Sequence, residues 1–171
     1  MRATELLPAG SRVVVLAPHL DDATFSLGAT IAGLARATAQ VSVVTVFAGD
    51  PRSSTRAGAW DRRAGFRTEG EAAHFGREED LRACRIMGAR PVWLDFSHEQ
   101  YGRPDDDDAV WDAFEPLLAG ADAVLAPGFP LVHRDHKRLT RLALDRARVA
   151  RIGIYVEQPY ATWYRDDLAQ P

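Results

Sequence analysis

Two short clusters hold the residue types that bind cations and move protons. The first is Pro18-His19-Leu20-Asp21-Asp22, one imidazole and two adjacent carboxylates. The second is His133-Arg134-Asp135-His136, more than a hundred positions downstream. The first cluster follows the apolar run Val13-Val14-Val15-Leu16-Ala17, which reads as a buried strand. Carboxylates at the end of a buried strand call for something that neutralises them, and a divalent cation would do so. His19 and Asp22, three apart on a tight turn, can reach one point. His136 can join them if the strand before it lies beside the first. Two imidazoles, one carboxylate and an open position form the ligand set of a catalytic zinc site; a structural site would need four protein ligands. We therefore expect His19, Asp22 and His136 as ligands to Zn2+ or another divalent transition metal. Asp21, the carboxylate left over, is then the general base toward water. His133, one helical turn before His136, is placed to donate to an oxyanion or a leaving group. Asp135 is expected to hold that histidine's other ring nitrogen. Each cluster alone has a plainer reading as a helix start that favours acidic residues. Their shared placement just after strands supports the metal.

The elements that must position these residues alternate. Strands are expected at 12–17, 41–47, 91–95 and 123–126, with a weaker one at 154–157. Helical spacing of apolar residues runs through 24–37, 69–87, 109–118 and 136–149. Gly88 is placed as a C-cap, and Pro116 should bend or shift the end of its helix. Alternation of this kind predicts βαβ units. The expected fold is α/β, a Rossmann-like three-layer sandwich with a mostly parallel sheet and helices on both faces. The irregular stretch 49–68 is long for a compact domain and is expected to be a lid or binding loop on the rim that holds His19 and Asp22. Asp50, Asp95, His98 and Tyr101 follow strands on that rim and are candidate substrate contacts. Trp60, Phe66 and Phe96 share these loops, where they could simply pack the loops or stack on a ring of the ligand.

Composition narrows the function classes. The chain has 171 residues, enough for one domain spanning 1–171 with a single sizeable core. A net charge of −3 leaves no dominant basic face, so no nucleic-acid partner is expected. Cys84 is the sole cysteine, which excludes an internal disulfide and reads as a buried thiol. His74 is expected at the surface. No apolar run reaches the length of a membrane span, and the expected location is cytoplasmic. The oligomeric state leaves no mark in the sequence.

These residues together resemble the PIG-L/LmbE-like family of zinc-dependent de-N-acetylases. Ala17-Pro18-His19-Leu20-Asp21-Asp22 is similar to the family's first signature, and His133-Arg134-Asp135-His136 to its second. Gly28-Ala29-Thr30-Ile31-Ala32 resembles the helix that follows the first signature, and Val43-Val44-Thr45-Val46-Phe47-Ala48-Gly49-Asp50 the second strand and its loop. Arg77-Glu78-Glu79-Asp80 through Met87-Gly88-Ala89 is similar to a charged family helix, and Glu157-Gln158-Pro159-Tyr160-Ala161 to a downstream element of one branch. The resemblance implies hydrolysis of an N-acyl group, typically acetyl, from an amino sugar such as N-acetylglucosamine or from a glycoside. It assigns the same ligands, base and histidine–aspartate pair as the spacing does. Leu20 stands where proline is frequent, and Leu131 where some members have tyrosine, a role for which Tyr101 or Tyr160 is the substitute. An arginine frequent in the charged helix is displaced by one position, to Arg77, which becomes a further substrate candidate. Relatives usually continue for some tens of residues beyond the position of Tyr160, in a segment that could form one wall of the pocket.

Two other readings compete. Magnesium-dependent phosphoryl transfer would use Asp21 and Asp22, but converging imidazoles favour zinc. A non-catalytic nucleotide- or sugar-binding module would fit the fold. The first strand, however, is not followed by the Gly-x-Gly-x-x-Gly turn such modules use.

Overall fold

The computed structural model describes residues 7–37, 39–102 and 106–163. Asp105, first of the acidic run 105–108, lies outside them. Among the described residues, five strands form one sheet: β1 (Arg12–Ala17), β2 (Gln40–Thr45), β3 (Arg90–Trp93), β4 (Ala123–Phe129) and β5 (Ile152–Val156). Their order is β3-β2-β1-β4-β5 and each neighbouring pair is parallel. Between them run α1 (Asp22–Arg36), the short α2 (Ala59–Arg63), α3 (Glu69–Met87), α4 (Asp107–Phe114), α5 (Arg134–Arg146) and α6 (Tyr160–Trp163). Among the described residues, no helix is long and apolar enough to cross a membrane.

The period-two geometry of a strand sends β1 side chains to opposite faces. Val13, Val15 and Ala17 pack with Ile31 and Leu34 of α1 and with Cys84 and Met87 of α3. Val14 and Leu16 pack with Phe114 of α4 and with Leu139 and Leu142 of α5. A strand buried on both faces has no room for polar residues, which is why β1 reads as a continuous apolar run. Cys84 is buried and His74 is exposed, as expected.

Helix ends follow local chemistry. The Thr68 side chain accepts from the Glu71 N–H at 3.1 Å and caps the start of α3. Gly88 ends that helix in the left-handed region, φ 76°, where a Cβ is costly. The helix expected over 109–118 is two pieces, α4 and a 3₁₀ turn at Glu115–Leu118, with Pro116 near the start of the second. The strand expected at 91–95 is β3 at Arg90–Trp93, and Asp95 instead forms an isolated antiparallel bridge with Phe47. β4 runs three residues beyond its expected end, to Phe129.

The order of strands decides where the site lies. β1 and β4 pair only from Val13–Val15 to Ala123–Leu125 and then separate. The chain leaves β1 into α1 on one face and β4 into α5 on the other. The crevice between them is a topological switch point, the place where open parallel sheets bind ligands.

Candidate metal centre

Both sequence clusters sit on the rim of that crevice. The turn after β1 carries His19 and Asp22, with Asp22 the first residue of α1. His133 is the N-cap of α5, and His136 lies in its first turn. His19 Nδ1, Asp22 Oδ2 and His136 Nε2 close a triangle with sides of 3.4, 3.3 and 3.2 Å. Donors ~2.0–2.1 Å from a common tetrahedral centre would lie about 3.3 Å apart. His136 and Asp22 are buried.

The outer ring nitrogens explain why the triangle suits a cation. His19 Nε2 faces Asp135 Oδ2 at 2.9 Å, and His136 Nδ1 is hydrogen-bonded to Glu157 Oε1. Each imidazole thus has a carboxylate to take its N–H, the usual support of a metal-bound histidine. The inner nitrogens then present lone pairs to one another and to Asp22. Three converging acceptors repel unless a cation or protons lie between them.

The electrostatics carry the same signature. Burial opposes charge on His19, but its bonds to Asp135 and Asp22 outweigh burial and raise its pKa. Burial likewise lowers the pKa of His136, while Asp22 and Glu157 bring it up to about 9. Burial works against ionisation of Asp22 as well, yet His136 and His19 hold its carboxyl well below the usual range. Asp135 is also held low, by His19 against the cost of burial.

Asp21 stands beside this group in the left-handed region at φ 90°, a strained setting for a residue with a Cβ. Its carboxylate makes no hydrogen bond among the described residues. Surrounding protein and the Asp22 charge push its pKa up to about 7.

One expected partnership is corrected. Asp135 bonds His19 rather than His133. Residues two apart on a helix point to nearly opposite sides, so Asp135 turns inward while His133 stays with His136. The His133 and His136 rings stack at 5.2 Å, in agreement with their spacing of three. His133 Nδ1 has Glu99 Oε1 at 3.2 Å instead.

The substrate candidates divide. The His98 ring lies 4.2 Å from His19 and within the imidazole cluster. Burial, then the neighbouring His19, lower its pKa to about 4. His19, His98 and Asp135 form a second group of close potential ligands. Arg77 donates to Asp95 at 2.7 Å and to the Gly49 carbonyl, which ties the loops after β2 and β3 together. Asp50 pairs with Arg52 at 2.9–3.0 Å. The Tyr101 hydroxyl donates to Asp61. Arg77, Asp95, Asp50 and Tyr101 therefore bond to rim loops rather than to the imidazoles. Tyr160 is the tyrosine at the centre, its ring 5.6 Å from both His133 and His136.

Sequence reasoning missed two acids, Glu157 and Glu99. Glu157 had a signal: it directly follows β5 on the same rim as the other clusters. Glu99 had none, because its contact depends on how the loop after β3 lies across α5.

Comparisons with known proteins find deacetylases. The family model described as PIG-L: GlcNAc-PI de-N-acetylase matches residues 14–147. A curated relative, 2'-N-acetylparomamine deacetylase of Streptomyces fradiae, is 35% identical over 141 residues, covering 73% of this chain and 48% of its own. The A40926 pseudoaglycone deacetylase Dbv21 has a crystal structure that superposes with a TM-score of 0.78 at 28% identity, covering 90% of this chain and 66% of its own. A triple mutant of a deacetylase of the teicoplanin biosynthetic pathway superposes equally well, TM-score 0.78 at 27% identity, covering 90% and 67%. The chain spans about half the length of the curated relative and about two thirds of these solved chains.

Proposed function

We propose, because the chain belongs to the PIG-L family of de-N-acetylases, that it hydrolyses an N-acetyl amide on an amino sugar or glycoside at a centre built for one divalent cation, zinc. The donor triangle of His19, Asp22 and His136 carries this reading. Its sides of 3.2–3.4 Å and its two supporting carboxylates fit a small cation with nitrogen and oxygen ligands. Zinc held there would supply Lewis-acid chemistry, polarising the amide carbonyl and acidifying water.

The chain's own residues do the rest. Asp21 takes the proton of the attacking water as its oxygen bonds to the acyl carbon. A base whose pKa lies near working pH suits that task. His133, as imidazolium, donates to the oxyanion of the tetrahedral adduct and gives its proton to the amine nitrogen as the C–N bond breaks, and the proton taken from water by Asp21 makes good the loss. One well-placed donor of that kind contributes ~3 kcal/mol to transition-state binding. The products are acetate and a protonated amine.

The names of the relatives support the substrate class: one acts on an N-acetylated paromamine, another on an antibiotic pseudoaglycone. The substrate of this chain is, on this reading, an N-acetyl amino sugar within a small glycoside. Zinc-loaded protein incubated with a panel of N-acetylated amino sugars and aminoglycosides should release acetate and a primary amine in equal amounts. Asp21→Asn should keep its zinc and lose ~10²–10⁴ in rate. Full turnover by that variant would remove the base assignment, and no acetate from any member of the panel would count against the reaction.

A further inference from the structure

We infer that Glu99, on the loop after β3, is the positioning residue that fixes the orientation and tautomer of His133, and that Asp135 serves His19 instead. The inference rests on the hydrolase reading only where it gives His133 a task on the substrate; the arrangement itself stands on geometry. Glu99 Oε1 lies 3.2 Å from His133 Nδ1. An ionised carboxylate only accepts, so Nδ1 carries the hydrogen. The other ring nitrogen, Nε2, has no hydrogen-bond partner among the described residues and faces the reacting group; it donates there only when the ring also carries a proton on Nε2, an imidazolium charge that Glu99 then balances. Sequence proximity favours Asp135 as the partner of His133, but Asp135 Oδ2 already accepts from His19 Nε2 at 2.9 Å and from the Glu99 N–H at 3.0 Å.

That last bond gives the arrangement its logic. One oxygen of Asp135 ties the ligand imidazole to the backbone of Glu99, and the Glu99 side chain continues from that anchor to His133. The loop is held on the far side too. His98 Nδ1 accepts from the Gln100 N–H at 3.0 Å, Gln100 Nε2 donates to Asp61 at 3.0 Å, and the Tyr101 hydroxyl donates to the same carboxylate. Glu99 therefore sits between two fixed points, as a residue that orients another must. Its second oxygen, Oε2, is buried and has no partner among the described residues. A buried bare acceptor is costly. It is explained if the carboxylate is placed for His133 rather than for local stability.

Histidine 15N NMR tests this without relying on turnover. Two-bond ¹H–¹⁵N correlation spectra of metal-free and zinc-loaded protein read the tautomer of each ring, His133 being assigned by its loss in His133→Ala. At a pH where the ring is neutral, the wild type should show His133 protonated at Nδ1 and bare at Nε2. Glu99→Ala should lose that bias, Glu99→Gln should retain it through the amide oxygen, and Asp135→Asn should alter His19 while sparing His133. In acetate release, Glu99→Ala should lower kcat by roughly 10–100-fold with KM and bound zinc unchanged, and Glu99→Gln should recover part of the loss. An unchanged His133 signal in Glu99→Ala overturns the inference, as does a His133 signal that follows Asp135→Asn. If the wild type releases no acetate while the tautomer still follows Glu99, the hydrolase reading fails and this one stands.

Discussion

Glu157 shows what a single buried acid does at this centre. It accepts from His136 Nδ1 and, through its other oxygen, from the Leu131 N–H at 2.9 Å. Leu131 is in the left-handed region at φ 47°, so the same carboxylate steadies a strained turn and orients the His136 ring. Removing its charge should be felt in cation affinity. Glu157→Gln is expected to weaken zinc binding roughly 10–100-fold, read by competition with a chromophoric chelator. The convergence of His19, Asp22 and His136 was legible at this scale because metal chemistry restricts residue type and spacing. The supporting acids were less so. Closeness in sequence assigns Asp135 to His133, and helix geometry separates them. Glu99 reaches His133 across 34 positions, a contact that no local pattern encodes.

At the scale of elements, apolar spacing and breakers located almost everything. β1 and α3 match the residues read from the pattern alone, because one is a continuous buried run and the other is bounded by Thr68 and Gly88. The weaker boundaries fell where tertiary contacts decide. Asp95 leaves β3 to bridge Phe47, and β5 begins earlier than expected, at Ile152 against Val124. The stretch 49–68 is less irregular than its composition implied, since it contains α2 and packs on the first turn of α3. Gly70 marks that contact: a Cβ there would meet the Ser53 and Pro51 carbonyl oxygens at 2.5 and 2.7 Å. Backbone atoms cannot swing aside as a side-chain tip can. Gly70→Ala should therefore cost about 1–3 kcal/mol in chemical denaturation and speed proteolytic cleavage within residues 49–68. A variant as stable and as resistant as the wild type would show that the loop does not rest on α3.

The whole molecule is a parallel sheet whose two core faces support one rim, and its stability should record charges buried beneath that rim. Asp80 of α3 is buried, accepts from Trp93 Nε1 at 2.7 Å, and has its pKa raised by burial. A raised carboxyl pKa means that the folded state holds the proton more tightly than the unfolded chain. Its contribution to stability is thus full below the ordinary carboxylate pKa and is lost as pH rises through the folded value. Asp80→Asn keeps an acceptor for Trp93 without the charge. Its melting temperature should exceed that of the wild type at pH 7, with the gap shrinking as pH falls below 5; a gap that widens on acidification would reverse the sign. The centre depends on β1 and β4 being neighbours, since only that adjacency brings His19 and Asp22 to His136. The most direct measurement is zinc per chain by elemental analysis of folded protein after zinc loading and desalting. One zinc per chain is expected for the wild type, with near zero for both His19→Ala and His136→Ala. A folded wild type that retains no zinc, or two single variants that retain it fully, would contradict the account.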